Sequence, residues 1–212
     1  MLQFEDIQGI VLNAYGHMNH ARFLFLHFTD KTVAQSWLTS VLPLVTHGGR
    51  RKKTDPKPDR SFNIGLTSVG LSTIGLNDDV LCEFPREFKQ GMSHGERPRV
   101  LGDTATSDPS VWEFGGPAHD TIHAIAMIYG HTPELLDELT TKVFSSKSNG
   151  VTAVFQQDSH RRGANEPFGF RDGISQPAIE GVGTPTPGQD VLKAGEFVLG
   201  YLNEYGVITP AA

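Results

Sequence analysis

One stretch of the 212-residue chain gathers the groups best placed to do chemistry: Glu166 to Gly181, EPFGFRDGISQPAIEG. Within it Asp172 lies between Gly169 and Gly173, next to Arg171, with Phe168 and Phe170 before it and Ile174 and Ser175 after it. The two aromatic residues are apolar enough to shield a site from water, so the arrangement can present a carboxylate into a partly desolvated pocket. The two glycines let backbone pass close to a flat ligand or adopt dihedrals that other residues resist. A glycine-bracketed Asx turn has the same spelling, and residue types alone leave both readings open.

Other familiar chemistries fail on spacing. GVGTPTPG at Gly181 to Gly188 begins like a dinucleotide loop, but Thr186 replaces the third glycine and the prolines block the helix that must follow, so a surface turn is expected. The sequence has no Gly-Lys dipeptide for a P-loop, no G-x-S-x-G and no H-E-x-x-H. Of nine histidines, His17 and His20 have a spacing that could hold an ion on a turn, yet no acid or thiol ligand lies nearby in sequence and no metal site is assigned. A single cysteine, Cys82, excludes an internal disulfide and cysteine-rich zinc sites.

Net charge is −6, and the basic residues cluster: His47 to Arg60 holds six Lys or Arg against two Asp. That segment carries no aromatic residue for base stacking and sits in an acidic chain, so it is expected to be a solvated loop, and no nucleic-acid partner is expected. No apolar run reaches membrane-spanning length, and Glu5 and Asp6 stand where an export signal would need positive charge. The expectation is a protein that does not cross membranes and is cytoplasmic.

Regular elements must position the loaded stretch. Ala21 to Thr29 reads as a strand apolar on both faces, and Asp30 as the N-cap of a helix with Val33, Ala34, Trp37, Leu38, Val41 and Leu42 on one side, ending near Pro43. Ser61 to Thr67 alternates as a second strand, with a short helical piece around Gly70 to Leu76. Thr121 to Tyr129 is a third strand; Thr132-Pro133-Glu134 opens a second helix; Val151 to Gln157 is a fourth strand after the Asn149-Gly150 turn. The β-α-β-β-α-β order predicts an α+β fold of the ferredoxin-like kind, an antiparallel sheet with both helices on one face. The expected organisation is one domain over residues 1–212, with a long insertion at about 77–120 and a motif-bearing extension at about 158–212.

The G-x-x-D-G of Gly169 to Gly173, followed by Ile174-Ser175-Gln176-Pro177, strongly resembles the dye-decolorizing peroxidase family of haem enzymes. FEDIQGIVL at Phe4 to Leu12, FNIGLTSVGLSTIGL at Phe62 to Leu76, FPREFKQGM and RVLGD between Phe84 and Asp103, and GEFVLGYLNEYG at Gly195 to Gly206 are similar to the amino-terminal half of that family, in its order. The resemblance implies half of a dimeric α+β barrel peroxidase, two ferredoxin-like halves holding haem b between them. It makes Asp172 the distal acid–base group that moves a proton between the oxygens of hydrogen peroxide. Gly169, Phe170, Gly173, Ile174 and Ser175 would lie at the haem, and Arg171 would approach a propionate or sit in a surface ion pair. An ordinary aspartate titrates near 3.9, so it stays basic in mild acid.

In that family the iron-ligating histidine and the distal arginine belong to the carboxy-terminal half, and no residue up to Ala212 matches either. The resemblance therefore implies a complementary half or second chain as partner, with hydrogen peroxide and a small aromatic reductant as substrates, and little activity from the chain alone. Two other readings stand beside it: a haem-free ferredoxin-like dimer acting as a small-molecule binding module, and a self-sufficient peroxidase in which one of the nine histidines takes the axial place. Trp37, Trp112, Tyr201 and Tyr205 are expected to pack rather than to relay radicals.

Overall fold

The computed structural model of the chain describes residues 1–12, 15–49, 56–144, 149–163, 165–171, 173–174 and 176–208. Four strands, β1 (His20–Phe28), β2 (Arg60–Leu66), β3 (Ala124–Gly130) and β4 (Val151–His160), form one sheet in the order β2-β3-β1-β4, every neighbouring pair antiparallel. Helix α1 (Lys31–Val41) joins β1 to β2 and helix α2 (Pro133–Val143) joins β3 to β4. This is the ferredoxin-like arrangement that the element order implied.

Local chemistry explains the two helices. Asp30 is extended, and its carboxylate accepts the Val33 amide at 2.9 Å, satisfying one of the free N–H groups that every helix start leaves. At α2 the proline at the first helical position sets the entry. Thr132 does not cap it as its type suggested; its hydroxyl bonds the Glu134 carboxylate instead. Both helices bury their apolar side on the same sheet face. Ala34, Trp37 and Val41 of α1 and Leu136, Leu139 and Val143 of α2 meet Leu24, Leu26, Phe28, Phe62, Ala126 and Ile128 of the sheet. The Trp37 indole is fully buried and donates to the Val143 carbonyl at 3.2 Å, which ties the carboxyl end of α2 to α1.

The alternate residues of the same strands point to the other face. Phe23, Phe25, Ile125, Met127 and Tyr129 are half-buried there, which is why β1 reads as apolar on both sides. Phe114, from the segment between β2 and β3, covers part of this face by stacking on Phe155 at 4.3 Å and tilting against Phe25 at 4.7 Å.

The third strand begins at Ala124, three residues later than periodicity suggested, because Thr121 to His123 serve another purpose. The Thr67 hydroxyl donates to the Ile122 carbonyl at 2.8 Å, the Thr67 amide donates to the His123 carbonyl at 3.0 Å, and the His123 amide donates to Leu26 at 2.8 Å. Thr67 also caps the helix Ser68–Ile74 through the Gly70 amide, so this one residue starts the inserted region and anchors its end. Between these points lie three more short α-helices, Asp78–Glu83, Arg86–Gln90 and Arg97–Leu101, and two single 3-10 turns, Ala105–Ser107 and Pro109–Val111.

The outer edge of β2 would expose unpaired backbone groups. The Gln8 carboxamide closes it: its Oε1 accepts the Ile64 amide and its Nε2 donates to the Ile64 carbonyl, both at 2.8 Å, as a neighbouring strand residue would. Asn63 is fully buried on the same edge; its Nδ2 donates to Gln8 Oε1 at 3.1 Å and its Oδ1 accepts the Tyr15 hydroxyl at 2.9 Å. The Tyr15 phenol is pushed up by burial, although its bonds to Ser61 and Asn63 work the other way. A buried polar group left without a partner costs about 1–3 kcal/mol, so this network holds the amino-terminal segment firmly to the sheet.

His123 links the stability of the fold to pH. It is buried, and its Nδ1 accepts the Phe28 amide at 3.0 Å, which requires the neutral ring. Burial, and then the neighbouring His27, hold its pKa below the usual histidine range. The unfolded chain therefore takes up a proton that the folded chain resists. This contribution to stability is complete above about pH 6.5 and declines as pH falls towards the folded value, by at most about 1.4 kcal/mol per pH unit. Chemical denaturation of the full chain between pH 7.5 and about 5 is expected to show this slope, and His123→Gln to flatten it. An equal slope in the variant would assign the acid sensitivity elsewhere.

Candidate functional site

After β4 the chain leaves the sheet and enters the Gly-rich stretch. Arg161 fixes the departure point: its amide donates to the Asn19 carbonyl at 2.8 Å, and its guanidinium donates to the carbonyls of Gly163 at 2.8 Å and Gly16 at 3.1 Å. A tight turn follows. The Glu166 amide donates to the Phe170 carbonyl at 2.7 Å, the Gly169 amide to the Glu166 carbonyl at 2.8 Å, and Asn165 and Arg171 form an antiparallel bridge. Gly169 and Gly173 have φ of 90° and 71°, the left-handed region where a side chain is strained, and a Cβ built on either meets nothing within 4 Å. Their glycine character thus answers a backbone requirement, and among the described residues nothing stands over either position.

Asp172 and Ser175 lie outside the described residues. Of the other motif positions, Gly169, Phe170, Arg171, Gly173 and Ile174 all lie at the surface. Phe168, Phe170 and Ile174 are 89%, 77% and 78% exposed. The two phenylalanines do not by themselves enclose a pocket: among the described residues of this chain they stand open to solvent. Three large apolar side chains exposed within seven residues of one loop are more than the scattered single ones an ordinary surface shows.

Beyond the motif the chain is re-anchored. Ala178–Ile179 pairs in parallel with Val191–Leu192, and the Gln189 carboxamide donates to the Gln176 carbonyl at 2.8 Å while accepting the Thr186 amide at 3.0 Å. The turn Gly181 to Gly188 therefore folds back on the motif. Gly173, Ile174, Gln176 and Pro177 line a cavity of about 440 Å³ with residues Thr186 to Asp190.

Sequence reasoning missed a second hollow, on the open sheet face at the far end of β1 from the motif. It has about 600 Å³ and is bounded by Phe25, Ile125, Ile122, Phe88 and Met92, with His119 and Asp120 at the same hollow. The FPREFKQGM segment, which supplies Phe88 to Met92, carried the sequence signal for it.

His17 and His20 do not converge on one point. His17 Nε2 bonds the Pro58 carbonyl at 2.8 Å, while His20 faces His160, so the pair spaced for a shared ion points to different partners. Among the described residues no group of three or more His, Cys, Asp or Glu is arranged to hold a metal ion, and His160 is the last residue of β4. Trp37 lies in the core, the Trp112 indole donates to the Ser107 carbonyl at 2.8 Å, and the Tyr201 hydroxyl accepts the Gln3 amide at 3.0 Å, while Tyr205 is 89% exposed. Among the described residues no helix is long and apolar enough to cross a membrane. Residues Arg50 to Asp55 of the basic segment lie outside the described residues.

Comparison with known proteins agrees with this architecture. Residues 6–163 match the DyP dimeric alpha+beta barrel domain. A dye-decolorizing peroxidase of Mycena epipterygia is 32% identical over 205 residues, which are 92% of this chain and 37% of that protein. One of Exidia glandulosa is 29% identical over 209 residues, 96% of this chain and 40% of that protein. Among solved structures, a dye-decolorizing peroxidase in complex with 2,6-dimethoxyphenol has a TM-score of 0.78 at 28% identity, covering 98% of this chain and 46% of that one. A fungal DyP-type peroxidase from Auricularia auricula-judae also gives 0.78, at 27% identity, covering 100% of this chain and 46% of that one. The chain thus spans about 40% of the length of such curated relatives. With its ferredoxin-like sheet, its glycine-bracketed motif and this match over most of its length, the chain belongs to the dye-decolorizing peroxidase family and corresponds to the amino-terminal half.

Proposed function

We propose that the chain supplies the distal side of a haem peroxidase site, with Asp172 as its acid–base residue, and that a carboxy-terminal half or second chain supplies the axial histidine and the distal arginine. In this reading residues 1–212 form one ferredoxin-like domain, with an insertion at about 77–120 and a motif-bearing extension from about 158. The observation that carries the proposal is the loop itself: exposed Phe168, Phe170 and Ile174 next to two left-handed glycines over which, among the described residues, nothing stands. Those residues suit one face of a flat, largely apolar group, and they offer it no iron ligand. Gly169, Phe170, Gly173, Ile174 and Ser175 would hold haem b from the distal side, and Arg171 would answer a propionate.

Haem, when bound, supplies the iron at which the peroxide bond breaks and the capacity to accept the resulting oxidising equivalents. This chain contributes proton movement and dryness. One oxygen of hydrogen peroxide must lose its proton and the other must gain one to depart as water; a carboxylate oxygen of Asp172 takes the first proton and delivers the second. Phe168, Phe170 and Ile174 become useful once a second surface covers them, since excluding water strengthens the electrostatics of that transfer. Small phenolic reductants would then restore the resting state; the solved relative with 2,6-dimethoxyphenol makes that class the first to try.

The test is reconstitution. The full chain, mixed with haemin and the carboxy-terminal half of a family member, is expected to develop a Soret band and to oxidise 2,6-dimethoxyphenol when peroxide is added, whereas the chain with haemin alone stays nearly colourless. A Soret band of equal strength from the chain alone would place the axial ligand among its own histidines and overturn the division of labour proposed here. A colourless, dimeric protein under both conditions would favour a haem-free binding module, the reading to which the half-open face of Phe23, Ile125, Met127 and Tyr129 also lends itself.

A further inference from the structure

A different pair of side chains makes a site of its own at the opposite edge of the core sheet from the β2 network. His20 and His160 stand directly across from each other where β1 begins and β4 ends. Their rings lie 4.3 Å apart, inclined by 36°, with the two Nδ1 atoms 3.2 Å from one another. We propose that these two imidazoles chelate a divalent transition-metal ion, copper(II) above all, with water completing the coordination.

The geometry comes first. Two nitrogens bound to one ion at about 2.0–2.1 Å and an angle near 100° are separated by about 3.2 Å, the spacing already present between the Nδ1 atoms. Antiparallel pairing sets that spacing through the backbone, so an ion can be bound without rearranging either strand. On the other side of His20 the facing residue of β3 is Gly130, which brings no side chain against the ring. His160 is exposed and His20 half-buried, giving an ion an approach from solvent and one ligand already held by packing.

Chemistry selects the ion. Neutral imidazole suits copper, nickel and zinc, and copper(II) heads the affinity order of the divalent first-row ions. Glu134 adds negative charge nearby: its carboxyl is held low by the Thr132 hydroxyl, then by its own backbone amide, and also by the His20 ring, which places that ring within electrostatic reach. An ion bridging the start of β1 and the end of β4 would clip an edge strand onto the sheet and so stabilise the folded chain by mass action.

Titration of the full chain with copper(II) sulfate tests this apart from any haem or peroxidase activity, so failure here would leave the peroxidase reading untouched. Electron paramagnetic resonance is expected to show hyperfine structure from two nitrogen ligands at the first equivalent bound, and the melting temperature should rise with added copper. His20→Asn and His160→Gln should each weaken that binding at least tenfold, reduce the signal to one nitrogen and remove the stabilisation. His131→Gln, at a ring bonded instead to the His17 carbonyl, should leave all three unchanged. Circular dichroism of each variant without copper establishes that it is folded. Copper binding unaffected by both substitutions, or a single-nitrogen signal in the parent chain, would sink the proposal.

Discussion

In the reconstituted two-part enzyme, Asp172→Asn is expected to lower kcat/KM for hydrogen peroxide by about 10²–10⁴-fold, the usual contribution of a positioned acid–base group. That is about 3–5 kcal/mol of lost transition-state stabilisation. The substitution is nearly isosteric, so haem uptake and the position of the Soret band should be retained, which separates loss of proton transfer from loss of the site. An amide cannot accept the first proton, and no other residue of the motif can replace it: a guanidinium offers no acceptor, and the Ser175 hydroxyl is far too weak a base. Asp172→Glu keeps the titrating group but moves it by one methylene, and should recover part of the rate.

The pH profile gives a second readout. A carboxylate acts as the acceptor only while ionised, so the parent rate should fall in acid as that group protonates, and the asparagine form should lack this limb. Full turnover in Asp172→Asn would remove the role assigned to the motif. It would leave the fold and the family membership intact, since these rest on the sheet and on the match over residues 6–163.

The parts of the molecule that were legible in the sequence are those determined by neighbours in the chain. Asp30 caps α1 because an acidic residue in extended backbone meets the amide three residues on, and that signal lies within four residues. The apolar period of α1 and the two-faced β1 follow in the same way, and with them the strand order. What stayed hidden depends on residues far apart. Gln8 completes the edge of β2 across 56 positions, and nothing about a glutamine near the amino terminus announces that its amide will stand in for a strand. The third strand starts late because Thr67 binds Ile122 and His123, a contact between the two ends of a long insertion. The site was legible as a motif, through Gly169 and Gly173, but not as an environment: whether Phe168 and Phe170 are covered depends on what lies opposite them, and their own sequence neighbours do not decide it.

Gly70→Ala is expected to destabilise the full chain by about 3 kcal/mol or more, even though a helical glycine exchanged for alanine normally gains about 0.5–1 kcal/mol. Gly70 sits inside the helix Ser68–Ile74, so the intrinsic preference favours the variant. The tertiary contact opposes it. A Cβ at this position lies 1.8 Å from the His123 carbonyl oxygen and 2.8 Å from its carbonyl carbon, and both are backbone atoms with no rotamer to yield. Relief requires moving either the helix or the strand entrance. Moving the helix breaks the bonds of the Thr67 amide and hydroxyl to Ile122 and His123; moving the strand entrance disturbs the His123 amide bonded to Leu26 and the His123 ring bonded to the Phe28 amide. Overpacking against fixed backbone sits at the upper end of the 1–3 kcal/mol usual for such insertions, and each broken bond to a buried group adds about 1 kcal/mol, so the contact outweighs the helix preference. At this chain length about 3 kcal/mol corresponds to a fall of about 6–12 °C in Tm. Ser72→Ala, at an exposed position of the same helix, should stay within about 0.5 kcal/mol of the parent. Thermal melting of the two variants side by side distinguishes the causes: a Gly70→Ala protein at least as stable as its parent would mean that the helix is free to move away from the β3 entrance, and that the insertion is not anchored where Thr67 and Gly70 place it.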